Sequence, residues 1–435
     1  MVWKDVDGSA VMFEGILSPG RVGKGTARRW RQEATISPDW FDSQAMTVLQ
    51  VVPRLDGGGV ERTTVDIAEA VVLAGGKAVV VSEGGRMEAE LQRVGALHER
   101  LPVASKNPLR MRANVGRLAA IIEKHGVELV HARSRAPAWS AYYAAKRSGR
   151  PFVTTFHGAY DRGVPLKTSY NAIMAKGRYV IANSSFIGRH VQEVYGVERA
   201  RLRVIPRGVD LFRFDPEQVS VSRVVRLAET WNLPDGLPVV MLPGRLTRWK
   251  GQELLLEALT RLADLEFFTV FVGAEQPGHA GYREELERLI REKGLIGRAA
   301  VLGHCDDMPA AYRLSDVVVS ASTDPEAFGR VISEAQALGR PVVAADHGGA
   351  PEQILDGHTG RLFPPGDPEG LAAGIRWALG LSPEEREILA KHALSHVRIS
   401  FSKQAMCQRT LAVYAEVLGR PLPGGEAELR QSAAG

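Results

Sequence analysis

From Met46 to about residue 363, short aliphatic, β-branched runs alternate with longer segments of helical periodicity, and they do so in two series. "TVLQVVP", "KAVVVSE", "VELVHAR", "PFVTTFHG", "YVIANSS" and "RLRVIPRG" make the first series; "PVVMLPG", "FFTVFVG", "AAVLGH", "DVVVSAS", "PVVAAD" and "GRLF" make the second. Strands this apolar must be covered on both faces, and helical crossovers supply that cover when the strands run parallel. The pattern predicts an α/β chain with two doubly wound parallel sheets. At 435 residues the chain exceeds the roughly 250 to 300 at which one core stops growing, so two domains are expected. We place them at 46–212 and 213–400, around a polar stretch near 210–236. Helices near 368–379, 383–395 and 402–418 close the chain, before a polar tail over 420–435.

Hydrophobic content of 45% with 24% charged residues is ordinary for a globular protein. No apolar run approaches the roughly 18 to 20 residues of a bilayer span. Cys305 and Cys407 are the only cysteines and no signal peptide opens the chain, so a reducing cytoplasm is expected. The net charge of +5 conceals an asymmetry: Arg100 to Arg213 holds 21 Lys and Arg against 6 acidic residues, +15, leaving −10 elsewhere. Such a cationic half is either a solubilising surface or the partner of an anion, with an anionic membrane face as the leading candidate. No aromatic platform accompanies the charge, which argues against nucleic acid. The first 45 residues lack periodicity and read as an unstructured or mis-started extension. Their basic cluster with Trp30 is an alternative membrane contact, and "GRVGKGT" fails as a phosphate loop because Ser18 stands where the first glycine belongs.

In open parallel sheets, ligands bind outside the carboxyl ends of strands, so motifs that follow strands come first. "DGGGVER" (56–62) follows the first strand and opens a helix, either as a tight turn or as an anion site built on Gly58 and Gly59. "GRLTRWKG" (244–251) gathers Arg245, Arg248 and Lys250 in a loop before a helix, a set that suits a diphosphate. "PEAFGRVISE" (325–334) puts Glu326 in a loop and Glu334 in the second helical turn, which leans back toward the helix start. Both carboxylates can accept hydrogen bonds from sugar hydroxyls, and the amides of Phe328, Gly329 and Arg330 can cap an oxygen. His157 ends an apolar strand and is followed by Gly158 and Asp161, so it reads as a site residue over a core histidine.

Together "GGGVER", "TFHG", "GRLTRWKG", the two glutamates of "PEAFGRVISE" and "GGAPEQILDGHTGRLFPPGD" resemble the large retaining glycosyltransferase family four, over about residues 46–418. The resemblance implies a GT-B fold, with an acceptor-side and a sugar-nucleotide domain facing an interdomain cleft and the last helix, 401–419, crossing back to the first domain. It implies that Arg245 and Lys250 grip the donor diphosphate, that Glu334 takes the ribose, and that Glu326 with the Phe328 and Gly329 amides takes the transferred sugar. His157 would lie near the reacting carbon, Gly58 and Gly59 over the phosphates, and main chain at Gly303 and His304 against the base. Ser184 and Arg207 would serve the acceptor side. Arg207 stands where relatives commonly have Asn, and Ala327 where Pro or Gly is frequent.

The implied activity transfers a hexosyl group from a nucleoside-diphosphate sugar, UDP-linked by preference, to a cell-envelope glycan or lipid-linked acceptor of lipopolysaccharide-core type. No metal and no cofactor are expected, because fixed cations can stabilise the departing diphosphate. Retention would use same-face attack with the leaving phosphate oxygen as base. Two other readings share the architecture: a non-hydrolysing sugar-nucleotide epimerase and a non-catalytic glycan-assembly scaffold.

Overall fold

The computed structural model describes residues 2–4, 10–12, 45–160, 165–275 and 281–421. The extension's basic cluster, Trp30 and Asp161 lie outside the described residues, as does the tail beyond 421; within the extension, β1 (Val2–Lys4) pairs antiparallel with β2 (Ala10–Met12). By contact the chain divides into two units, one formed by 1–182, 190–205 and 407–435, the other by 183–189 and 206–406.

The first unit carries β3 (Thr47–Val51), β4 (Lys77–Ser82), β5 (Leu97–Arg100), β6 (Leu129–Ala132), β7 (Phe152–Phe156), β8 (Val180–Ala182) and β9 (Leu202–Val204). They form one parallel sheet in the order β5-β4-β3-β6-β7-β8-β9. Every residue of β6 and β7 is buried, as the aliphatic runs require. The edge strand β5, "LHER", was not read from the sequence because its exposed-to-intermediate polar pattern carries no apolar run. The helix residues from Cys407 to Leu418 belong to this unit, where the buried Tyr414 hydroxyl lies 2.6 Å from His131 Nδ1. Burial, with Arg133 nearby, holds His131 well below its ordinary pKa and therefore neutral.

The second unit carries β10 (Val239–Pro243), β11 (Phe268–Val272), β12 (Ala299–Leu302), β13 (Val317–Ser320), β14 (Val342–Ala345) and β15 (Arg361–Phe363), parallel throughout in the order β12-β11-β10-β13-β14-β15. Successive side chains of β10 enter opposite cores: Val240 and Leu242 join Leu255, Leu256 and Phe271, whereas Val239 and Met241 join Val270, Tyr312 and Phe328. Helices cover both faces, which is the double winding inferred from the alternation. The stretch taken for a linker holds a helix, Val221–Thr230, whose Val224 and Leu227 pack on that second core. Both units are Rossmann-like, and together they are the two domains of a GT-B fold. Among the described residues, no helix is long and apolar enough to cross a membrane.

Candidate active site

The strand order of the second sheet reverses between β10 and β13, so the loops leaving these two strands part and open a crevice at their carboxyl ends. The loop after β10 ends in a 3-10 turn, Arg248–Lys250, closed by Gly251 at φ +77°. A Cβ there would stand 1.9 Å from the Ala321 carbonyl oxygen, so only glycine lets this loop lie against the end of β13. The approach sets Lys250 Nζ 2.7 Å from Glu326 Oε1, with the two side chains only 11% and 18% exposed. Ser322 Oγ donates to the same carboxylate oxygen at 2.5 Å.

A third loop, after β14, holds Glu326 from behind. Gly348 sits at φ +64°, and a Cβ on it would meet the Glu326 carbonyl oxygen at 2.4 Å. The Gly349 amide donates to that carbonyl at 2.9 Å. Burial alone would raise the Glu326 carboxyl, but the Lys250 ammonium, the Ser322 hydroxyl and the Arg207 guanidinium outweigh it and hold the pKa below the ordinary value. The carboxylate is therefore ionised at neutral pH.

Glu334, in the helix Arg330–Ala337, leans toward the start of that helix as expected. Its Oε2 accepts from the Tyr312 hydroxyl at 3.0 Å, and its Oε1 lies 2.9 Å from Arg330 Nη2. Burial pushes the Tyr312 hydroxyl well above its usual pKa, so it stays a donor. Gly329 caps the helix at φ +81°, and its position lies beside Glu326 Oε2. Phe328 is core, packed edge-on to Phe401, and its carbonyl accepts from Gln353 Nε2. Ser322, Glu326, Phe328, Gly329, Ile332 and His347 line a small pocket there.

The three cations of "GRLTRWKG" do not act alike. Arg248 is spent on Glu253 and Glu285, at 2.7 and 2.5 Å, which corrects the expectation of a three-cation cluster. Lys250 is paired with Glu326, whereas the exposed Arg245 guanidinium makes no ion pair among the described residues. Gly303 and His304 are exposed after β12, where His304 pairs with Asp306 at 3.0 Å.

In the first unit, Gly58 caps the helix Gly59–Leu73 after β3, in an exposed loop, and His157 follows β7, half-buried with its Nε2 shielded from solvent. Ser184 and Arg207, expected on the acceptor side, belong by contact to the second unit. Ser184 is fully buried, and its Oγ accepts the Ile187 amide at 3.1 Å, as a helix cap does. Arg207 acts electrostatically on Glu326. Sequence reasoning missed Ser322, Tyr312 and His347. Ser322 and His347 lie just past apolar strand ends, the one signal that could have found them; Tyr312 sits in a helix and gives none. Among the described residues, no group of three or more His, Cys, Asp or Glu side chains could hold a metal ion.

Residues 57–213 match the family described as Glycosyltransferase Family 4, and residues 226–396 the family described as Glycosyl transferases group 1. A D-inositol 3-phosphate glycosyltransferase of Actinosynnema mirum is 30% identical over 340 residues, covering 70% of this chain and 76% of the relative. The crystal structure of a glycosyltransferase from Rickettsia africae superposes with a TM-score of 0.81 at 36% identity, covering 87% of this chain and all of that one. The Anabaena protein Alr3699/HepE, crystallised with UDP and glucose, superposes with a TM-score of 0.76 at 25% identity, over 85% of this chain and all of that one.

Proposed function

This chain belongs to the GT4-type glycosyltransferases of GT-B fold, and on that premise we propose that it moves a hexosyl group from a nucleoside-diphosphate sugar to a hydroxyl of an envelope glycan or lipid-linked acceptor, with retention and without a metal. The observation that carries the reading is the Lys250 Nζ to Glu326 Oε1 contact of 2.7 Å, which joins the cationic loop to the carboxylate we assign to the sugar, at the switch point. An ammonium has three N–H groups; Glu326 takes one, leaving two for a phosphate. The Arg245 fork adds a second fixed cation. As the anomeric C–O bond breaks, charge builds on the diphosphate, and preorganised cations stabilise that charge more than they stabilise the ground state.

Glu326 and the amides at the start of the helix Arg330–Ala337 are assigned to the sugar, Glu334 to the ribose, and main chain at Gly303 to the base. The first turn of a helix lacks intrahelical acceptors for its amides, which suits that assignment. Neither carboxylate is placed to be a nucleophile: Glu326 is engaged by Lys250 and Ser322, and Glu334 by Tyr312 and Arg330. We read retention as same-face attack, with the acceptor hydroxyl proton passing to the departing phosphate oxygen. A uracil base is supported by the UDP-bound neighbour. A phosphate-bearing acceptor, as lipopolysaccharide core or an inositol phosphate would be, is supported by the cationic segment 100–213 and by the relative that acts on D-inositol 3-phosphate. His157, Gly58 and Gly59 at the strand ends of the first unit are assigned to the same reaction, which would run at the cytoplasmic membrane face.

A thermal-shift panel of UDP, GDP, ADP and their hexosyl esters tests the reading. A ligand at a hundred times its Kd stabilises by about 2.7 kcal/mol, a readily measured rise in Tm. The expected result is a shift with one nucleotide and release of a sugar of retained anomeric configuration on prolonged incubation. No shift with any nucleotide, or an epimerised donor without acceptor, overturns it.

A further inference from the structure

We propose that His347 is a further sugar-reading residue, and that with Glu326 it makes this pocket select a neutral, hydroxyl-bearing hexosyl group over a hexuronosyl one. The inference rests on the transferase reading above. His347 stands two residues after β14, at a strand's carboxyl end, and its ring Nε2 lies 2.7 Å from the carbonyl oxygen of Ser322. A carbonyl has no proton to give, so Nε2 carries the hydrogen. In the neutral ring, Nδ1 is then an acceptor with its lone pair available. Nδ1 has no partner among the described residues, and the residue is only half-buried.

The ring is held where it can meet a ligand. Gly348 and Gly349, which follow it, press against the backbone of Glu326 and Phe328; a Cβ on Gly349 would come within 2.8 Å of Phe328 Cα. His347 and Glu326 therefore line one pocket, together with Gly329. Beside the donors already assigned, the free Lys250 N–H groups and the helix-start amides, the wall presents two acceptors: the Glu326 carboxylate and Nδ1 of His347. Sugar hydroxyls donate to such a wall. A carboxylate in place of a hydroxymethyl group would face the Glu326 charge and an imidazole lone pair with no proton to offer either.

The test uses the full chain and His347→Phe, which keeps a ring of similar size and removes both nitrogens. Calorimetry first finds which of UDP, GDP and ADP binds most tightly, then measures its glucosyl, galactosyl, mannosyl and glucuronosyl esters. Loss of one hydrogen bond to a ligand costs about five- to tenfold in Kd. The expected result is a weakening of that size for the preferred hexosyl nucleotide, an unchanged Kd for the nucleoside diphosphate alone, and poor binding of the glucuronosyl ester by the wild type. Equal hexosyl-nucleotide binding by variant and wild type would overturn the inference, as would a wild-type preference for the glucuronosyl ester. If the variant also loses the bare diphosphate, the ring is structural and its sugar role is wrong. If the wild type binds none of the nucleotides, it is the transferase reading itself that falls.

Discussion

Lys250 and Glu326 form a largely buried ion pair, and such a pair is costlier to halve than to remove whole. Lys250→Ala leaves the Glu326 carboxylate facing only Ser322 and the more distant Arg207. We expect a stability loss of about 1–3 kcal/mol by chemical denaturation and a fall in turnover of about 10²–10³-fold, as when one charge-stabilising donor is deleted elsewhere. Unchanged turnover would refute the donor-site assignment. The sign of the pH effect follows from the depressed Glu326 pKa: its contribution is fully present above the unfolded carboxyl value and is lost as pH falls through the lower folded one. Donor binding should therefore hold down to the ordinary carboxyl value of 4.5 and fail only below it.

Three loops and their glycines, not one motif, make the site. Gly251 is the tightest point, with a left-handed φ of +77° and no room for a Cβ beside Ala321. Gly251→Ala must move backbone, so we expect a loss of at least about 2 kcal/mol. Because the same shift withdraws Lys250 from Glu326, nucleotide affinity should fall with stability; a variant of normal affinity would mean that the loop is not held from β13. The sheets were legible because buried parallel strands are written as uninterrupted aliphatic runs. The edge strand β5 and the helix Val221–Thr230, "VSRVVRLAET", were not, because each is half solvated and has no such run. In the site, Lys250, Glu326 and Glu334 were readable from their place after strands and at a helix start. Ser322 and His347 were not, because what makes them matter is a hydrogen bond, from Ser322 to Glu326 in its own loop and from His347 to Ser322 on another. Arg248 misled for the converse reason: Glu285, 37 residues on, takes it up.

At the scale of the whole molecule, the charge is unevenly laid out, and most of the +15 segment belongs to the first unit. One part of it has a surface suited to an anionic bilayer. The helix Pro108–His125 has no acidic residue before Glu123, and Lys106, Arg110, Arg112 and Arg117 are exposed along it and in the turn before it. Leu109, 79% exposed, stands among them, with none of the described residues covering it. A basic surface near anionic headgroups gains about 1 kcal/mol per Lys or Arg, screened within a Debye length of about 8–10 Å at physiological salt. An apolar side chain between the charges adds a short-range, salt-insensitive contribution. Cosedimentation with vesicles should therefore rise with phosphatidylglycerol content and fall steeply with added salt. Reversing both Arg110 and Arg112 to Glu should lower partitioning by well over tenfold, since two attractions become two repulsions. Leu109→Ser should lower it less and leave the salt dependence intact. These positions lie on a helix face remote in sequence from every residue assigned to the donor, so soluble-donor hydrolysis should be unaffected by either change. Binding that ignores both lipid charge and salt would show that the cationic segment serves another purpose, and with it the case for an envelope acceptor would lose its main physical support.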